Sequence, residues 1–491
     1  MQAKHTNPIH AAVVGGGIAG LAAAYYLQKM AAGAGVPLQL TVLEAGAYWG
    51  GKIVTERQDG FVVEGGPDTF LASKPWGVGL CHELGLGDRL HGTNPQHKNT
   101  YVLHHGRLRA LPEGLMMMIP TRFGPMLRTG LLSWPAKARM GLDFFLPARA
   151  LDGDESLGAF VSRRLGRAAY ERLIEPLMSG IYAGDGDQLS LQSTFPYLRE
   201  MELNHGGLVK GALAARAKMA RRGGPAPGTR SVFLTPTTGL AEIVEALIVR
   251  LTDGGADLRL GAAVTRITRP GPAYRLELAD GQVLAADGLI VAAPAFAAGE
   301  MLAQLDPQLA GELGAIAYVS TATISLAYRL SDLERPLDGY GYVIPRREGR
   351  RALACTWTST KFPHRAPDGY ALLRVFAGRA GEEAGLPVDS AGLTELAREE
   401  LRQTLGITAA PRFVKVYTWE RAMPQYNLGH PARLERIERA VARWPDLALA
   451  GNGYRGIGIP DCIHSGELAA GRILGELSGA PAALEPISAH R

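Results

Sequence analysis

Residues 10–15, HAAVVG, make a short apolar run, and a glycine turn, GGGIAG, follows directly. From Ile18 to about Ala32 small and apolar residues recur at helical spacing, and LQLTVLEAG at 38–46 reads as a second strand. Strand, turn, helix and strand in that order predict a βαβ unit. Short strands and turns are expected through YWGGKIVTERQDGFVVEGGPDTFLASK. From about 80 to 230 the helical period dominates, most clearly in ESLGAFVSRRLGRAAYERLIEPLMSGIYAG at 155–184 and again at 201–219. The Gly- and Pro-rich ARRGGPAPGTRS at 220–231 predicts a surface loop. Helix, strand, hairpin and strand follow up to residue 294. Residues 300–415 alternate as strands do (TATISLAYRL, GYVIP, ALLRVFAG), with a helix at 389–405. A helix near 431–443 and the strand DLALAG lead into GNGYRGIGIPDCIHSGELAA, a second glycine-rich turn that opens a helix.

Composition narrows the class. The chain has 491 residues, 46% hydrophobic and 20% charged, which suits a protein of about three domains. Its net charge of +5 is spread thinly, and basic runs such as 346–351 are short, so a nucleic-acid partner is not expected. Cys81, Cys355 and Cys462 are scattered without metal-ligand spacing. Neither a disulfide framework nor a metal site is expected, and a reducing, cytoplasmic setting fits. The start MQAKHTNPIH is polar, and no run of about 18 apolar residues predicts a membrane span. The segment 111–140 mixes methionines, leucines and Trp134 with Arg122, Arg128, Lys137 and Arg139. It fits either an interfacial segment in weak contact with a membrane surface or helices that line a pocket or core.

The first glycine turn carries the chemistry. Gly15, Gly17 and Gly20 form GxGxxG between strand and helix, with Gly16, Ile18 and Ala19 completing the loop. The first glycine permits the tight turn, the second leaves room for a pyrophosphate, and the third lets helix and strand pack closely. The helix start offers free N–H groups to the phosphates. Glu44, with Ala45 after it, ends the second strand where an acidic side chain accepts ribose hydroxyls. A free 2′-hydroxyl is implied, hence FAD or NAD rather than NADP.

The continuation AGAYWGGKIVT, with Gly50, Gly51 and Lys52, resembles the extended flavin signature of the amine oxidase and porphyrinogen oxidase group. So does VVEGGPDTF at 62–70. The match becomes specific in ESLGAFVSRRLGRAAYERLIEPLMSGIYAGD (155–185), WERAMPQYNLGH (419–430) and YRGIGIPDCIHSGELAA (454–470). These resemble the oxygen-dependent porphyrinogen oxidases of haem biosynthesis, and the resemblance spans nearly the whole chain.

The resemblance implies an α/β fold. A discontinuous Rossmann-like FAD-binding domain would comprise 1–80, 231–299 and 415–491. A mainly helical domain at 81–230 and a mixed-sheet substrate domain at 300–414 would complete it. It implies FAD contacts from Gly51 and Lys52, from Gly66, Pro67, Asp68 and Thr69 beside the ring, from Val264 at the adenine edge, and from Trp419. Ile457, Gly458 and Ile459 would meet the isoalloxazine. The substrate would be a porphyrinogen. Lys74 is a candidate partner for a substrate propionate, and Val343 and Phe376 are candidate walls for the macrocycle. Three two-electron rounds would aromatise the ring, with O2 reoxidising the flavin to give hydrogen peroxide. Pyrrole N–H groups can release the matching protons, so no catalytic base is assigned.

Pro460 before Asp461 favours coproporphyrinogen III as substrate, with protoporphyrinogen IX as the alternative. An amine oxidase, a carotenoid desaturase and a non-catalytic flavoprotein remain open. Hand-over of the product to a ferrochelatase-type partner is a further expectation.

Overall fold

The computed structural model describes residues 8–116, 119–149, 153–221, 231–382, 385–387 and 389–478. The loop expected at 220–231 lies almost wholly outside the described residues.

A five-stranded parallel sheet forms the base, in the order Asp257–Arg259, Leu38–Leu43, Ile9–Val14, Gly288–Val291, Leu447–Leu449. Strands from three distant stretches of chain thus make one sheet. Ile9–Val14 sits in its middle and is almost wholly buried, which explains its continuous apolar run. The helix Ile18–Ala34 covers one face and ends at Gly35, in the left-handed region at φ +65°. Its alanines let the closing helix, Ile459–Ser478, pack directly on its backbone. A Cβ on Gly466 would stand 2.4 Å from the Ala19 carbonyl oxygen.

A seven-stranded mixed sheet stands apart from this base. Its order is Phe413–Pro424, Tyr318–Arg329, Tyr370–Ala377, Ala352–Trp357, Gly339–Val343, Asn99–His104, Arg107–Ala110. All pairings are antiparallel except Gly339–Val343 with Asn99–His104. One face of this sheet is packed by the helix Ser390–Leu405 through Tyr342, Cys355, Val375 and Leu396. The other face looks toward the parallel sheet. The hairpin at 99–110 therefore joins this sheet, although it lies in the stretch read as mainly helical.

The helical layer holds its own core, with Phe160, Leu173, Met178 and Leu198 fully buried. Arg164, 0% exposed, ties it together by donating to Asp143 and to the carbonyls of Leu146, Pro147 and Gly206. The helical stretch read at 201–219 is two helices, Pro196–His205 and Leu208–Arg221, separated at Gly206 with φ +76°. Within 111–140 the helices Phe123–Arg128 and Trp134–Gly141 are short and leave Phe123, Leu127 and Trp134 exposed. No described helix is long and apolar enough to cross a membrane.

Candidate active site: a flavin cradle under an apolar wall

The first glycine turn is shaped as its spacing predicts. Gly15 has φ +111°, and a Cβ there would meet the Ala292 carbonyl oxygen at 2.8 Å. A Cβ on Gly20 would lie 1.9 Å from the Gly15 oxygen, so helix and strand approach only because both are glycine. Around Gly17 an added Cβ meets nothing within 4 Å. That open space beside a helix start is where a pyrophosphate fits. Gly50 closes the far side: its N–H donates to the Gly16 carbonyl at 2.8 Å, and Gly51 stands against Gly17.

Glu44 follows the second strand and accepts from the Gly16 and Gly46 N–H groups at 2.6 and 2.7 Å. Its carboxylate is thereby fixed beside the loop, with Ala45 exposed next to it. The stretch 259–262 runs alongside: Glu44 N–H donates to the Arg259 carbonyl, and Ala262 N–H donates to the Glu44 carbonyl. Val264 begins the next strand and packs against the buried cluster that holds Val14 and Leu43. A nucleoside has a floor, an acidic acceptor and a side wall here.

The segment Gly65–Thr69 bridges the two sheets. The Gly65 carbonyl accepts from Thr323 Oγ1 at 2.6 Å and from Trp419 Nε1 at 2.9 Å. Both donors belong to the seven-stranded sheet, so this carbonyl faces it. No cis peptide occurs among the described residues, and a planar trans peptide turns the Gly66 N–H the opposite way. A Cβ on Gly66 would lie 1.8 Å from the Lys52 carbonyl oxygen, which requires glycine there. Pro67 follows, and Asp68 and Thr69 complete the segment, with Thr69 Oγ1 donating to Asp68 at 3.1 Å.

The second glycine turn meets this segment from the chain's other end. Gly456, at φ +88°, turns the backbone, then Ile457 and Gly458 lead into the helix that begins at Ile459. Asp461, in the first turn, accepts from the Gly458 N–H at 3.2 Å, so it caps from inside the helix. It also accepts both of its short contacts from Lys74 Nζ, at 2.5 and 2.6 Å. Lys74 is thus placed at the site, and its partner in the protein alone is Asp461. Lys52 is half-buried and makes no hydrogen bond or ion pair with any described residue. Burial lowers its pKa, and the neighbouring Cys462 sulfur opposes that shift. An unpaired cation in this cleft suits an anionic cofactor. Burial pushes the Cys462 thiol itself up to about 12, which leaves it an inert packed group.

Val343 and Phe376 come together on the sheet face that looks toward the cleft. Both register with Ala354 across the strand between them, and the three pack with Ala183 of the helical layer. Half-buried and apolar, they form a wall suited to a flat ring.

Two features carried no local signal. Thr323 is one hydroxyl in a strand of alternating residues. Arg374 is a buried guanidinium that donates to the Gly66 carbonyl.

A glycine loop open at Gly17, Glu44 fixed beside it and an apolar sheet face looking toward the cleft are the framework that a flavin-dependent oxidoreductase requires. The model of the flavin containing amine oxidoreductase family matches residues 18–474. The chain belongs to that family, and FAD is its cofactor. Coproporphyrinogen III oxidase of Bacillus subtilis (strain 168) is 39% identical, over 94% of this chain and 97% of the relative. Its counterpart in Propionibacterium freudenreichii is 35% identical, over 95% and 90%. Protoporphyrinogen oxidase of Homo sapiens is 30% identical, over 94% and 98%. A solved structure from Exiguobacterium sp. 255-15, named as a protoporphyrinogen oxidase, superposes with a TM-score of 0.82 at 33% identity, covering 96% and 99%. Cyclohexylamine oxidase from Brevibacterium oxydans, at 18% identity and TM-score 0.65 over 96% and 100%, shares the fold.

Proposed function

We propose that the protein oxidises coproporphyrinogen III to coproporphyrin III, with O2 as acceptor and hydrogen peroxide as by-product. The graded similarity to curated relatives carries the choice of substrate: three coproporphyrinogen III oxidases match at 39, 35 and 33%, and the curated protoporphyrinogen oxidases at about 30%, although the Exiguobacterium structure named as a protoporphyrinogen oxidase matches at 33%. Pro460–Asp461 points the same way.

FAD held by the Gly15–Gly20 loop, Glu44 and the segment Gly65–Thr69 would supply the redox chemistry, hydride acceptance from the bridging carbons in three two-electron rounds with O2 as the final acceptor. The six hydrogens removed leave as three molecules of peroxide. The chain's own part is to hold a macrocycle face-on and dry. Val343, Ala354 and Phe376 supply the apolar face. Lys74, which faces Asp461 at the start of the closing helix, would exchange that carboxylate for a substrate propionate. Coproporphyrinogen offers four such carboxylates and protoporphyrinogen two. A cytoplasmic location is part of this reading.

The test is anaerobic addition of each porphyrinogen to the purified holoenzyme, followed by steady-state assays in air. Coproporphyrinogen III should bleach the flavin and give the higher kcat/KM. Faster turnover of protoporphyrinogen IX would transfer the assignment to that substrate. Absence of bleaching with either would overturn the oxidase reading.

A further inference from the structure

Between the segment Gly65–Thr69 and the sheet face that carries Phe376 lies a buried group of charges. Arg374 is 2% exposed, Arg365 1% and Glu64 3%. Lys361 Nζ stands 3.4 Å from Asp68 Oδ2, and Arg365 Nη2 stands 3.1 Å from Glu64 Oε1. Three cations thus face two carboxylates, an excess of one positive charge. Glu64 also accepts from Thr55 and from the Leu240 N–H, so its lone pairs are largely engaged. Burial pushes its carboxyl up, and a proton there would only deepen the positive excess.

The excess localises on Arg374. Its Nη2 donates to the Gly66 carbonyl, while Nε and Nη1 are buried without a hydrogen-bond partner. Its guanidinium lies 4.7 Å from the centre of the Phe376 ring, a weak acceptor that disperses the charge without cancelling it. A guanidinium keeps its proton in any protein environment. Leaving two of its nitrogens buried and unsatisfied costs stability. Nothing in the packing of the sheet demands it, because Ser325 and Thr356 beside it in register are small and neutral.

We propose that Arg374 is an electrostatic positioning residue for the redox step: its uncompensated charge, one peptide away from the flavin ring, stabilises the reduced, negatively charged cofactor. Two-electron reduction adds negative charge to the ring system. A fixed cation in a water-poor interior favours that state without reorganisation at the moment of transfer. The Gly66 carbonyl that Arg374 holds belongs to the Gly66–Pro67 bond, which carries no N–H, so the charge acts through space. The inference rests on flavin lying against residues 65–69, and it does not depend on which porphyrinogen is oxidised.

The experiment is equilibrium titration of the FAD-loaded enzyme against reference dyes, without substrate. Arg374→Gln should lower the reduced-to-oxidised ratio at a fixed potential at least tenfold, about 30 mV for a two-electron couple. Asp68→Asn, which removes a negative charge from the same group, should move the potential upward. Arg374→Lys should stay near wild type. Opposite signs from two replacements in one cluster separate electrostatics from a packing defect, which would move both alike. If Arg374→Gln does not retain FAD, the lysine and Asp68→Asn proteins still decide the matter. Unchanged potentials, or shifts of the same sign, would overturn the proposal. Wild-type turnover of coproporphyrinogen III on the same preparation tells that failure apart from failure of the substrate assignment.

Discussion

Replacing Lys74 by methionine keeps its length and removes its charge, so the effect reads directly on what that charge does. In the protein alone its Nζ contacts both Asp461 oxygens, with the lysine side chain 36% and the aspartate 12% exposed. For a pair that open to solvent, the loss of stability should be at most about 1 kcal/mol. Binding is a separate matter. A charge-assisted hydrogen bond to a propionate contributes about 1.5–3 kcal/mol, roughly tenfold to over a hundredfold in KM. Because Lys74 must first leave Asp461, the lower end is expected: about tenfold in KM for coproporphyrinogen III, with kcat little changed. Asp461→Asn should free the lysine, so that KM falls or holds while asparagine still caps Gly458. Steady-state assays on the two single variants and the double close a thermodynamic cycle. If both single variants raise KM equally and the double adds nothing, Lys74 is a brace for the helix start. The carboxylate contact then lies elsewhere.

Other replacements test other layers of the argument. Gly20→Ala puts a Cβ where the Gly15 oxygen stands and should yield protein that purifies without yellow colour, whereas Gly17→Ala meets no protein atom and should fold normally but bind FAD more weakly; fluorescence titration of the apoproteins with FAD distinguishes them. Asp68 is held at about 2 by Lys361, Arg374 and its Thr69 hydrogen bond against the opposing effect of burial, below its ordinary 3.8. Its contribution is therefore fully present above about pH 4 and is lost as pH falls toward 2, about 2 kcal/mol in all; urea midpoints should drop more steeply from pH 5 to 3 in wild type than in Asp68→Asn. Arg164→Ala leaves Asp143, 0% exposed, without its cation and should cost about 3–5 kcal/mol, seen as a lower urea midpoint of the helical layer's unfolding.

What the sequence disclosed and what it withheld divide along chain separation. The glycine loop, its helix and Glu44 act within some thirty residues, and their spacing alone predicts their geometry. The strands of the parallel sheet were legible as short apolar runs, although their order was not. The hairpin at 99–110 had a local signal that helical periodicity around it obscured: His105 and Gly106 both take positive φ, +50° and +71°, between two alternating runs. A two-residue turn of that kind is the favoured way to join antiparallel strands. The pairing of Lys74 with Asp461 spans 387 positions, and that of Arg374 with the Gly66 carbonyl spans 308. No window of sequence contains either pair. Lys74 reads as a cation available to a propionate, with no sign of Asp461, and Arg374 as a polar residue in a strand, until the fold sets their partners beside them.

The two glycine turns divide the work of holding one cofactor, and their different chemistry follows from what each must face. At Gly17 the chain offers open space and N–H groups, which suit phosphates that carry charge in both redox states. At Gly456–Ile459 it offers close backbone and a helix start already capped by Asp461. In the protein alone that carboxylate is neutralised by Lys74, so before substrate binds the second turn by itself presents little net charge. The charge that changes during turnover resides on the ring, so its counterpart has to come from outside the turn. Among the described residues, Lys52 in the cleft and Arg374 behind the Gly66 peptide lack a carboxylate within salt-bridge distance. One approaches from the cofactor domain and the other from the substrate sheet. Flavin held between the two sheets would therefore meet both the apolar face of Val343 and Phe376 and these two cations.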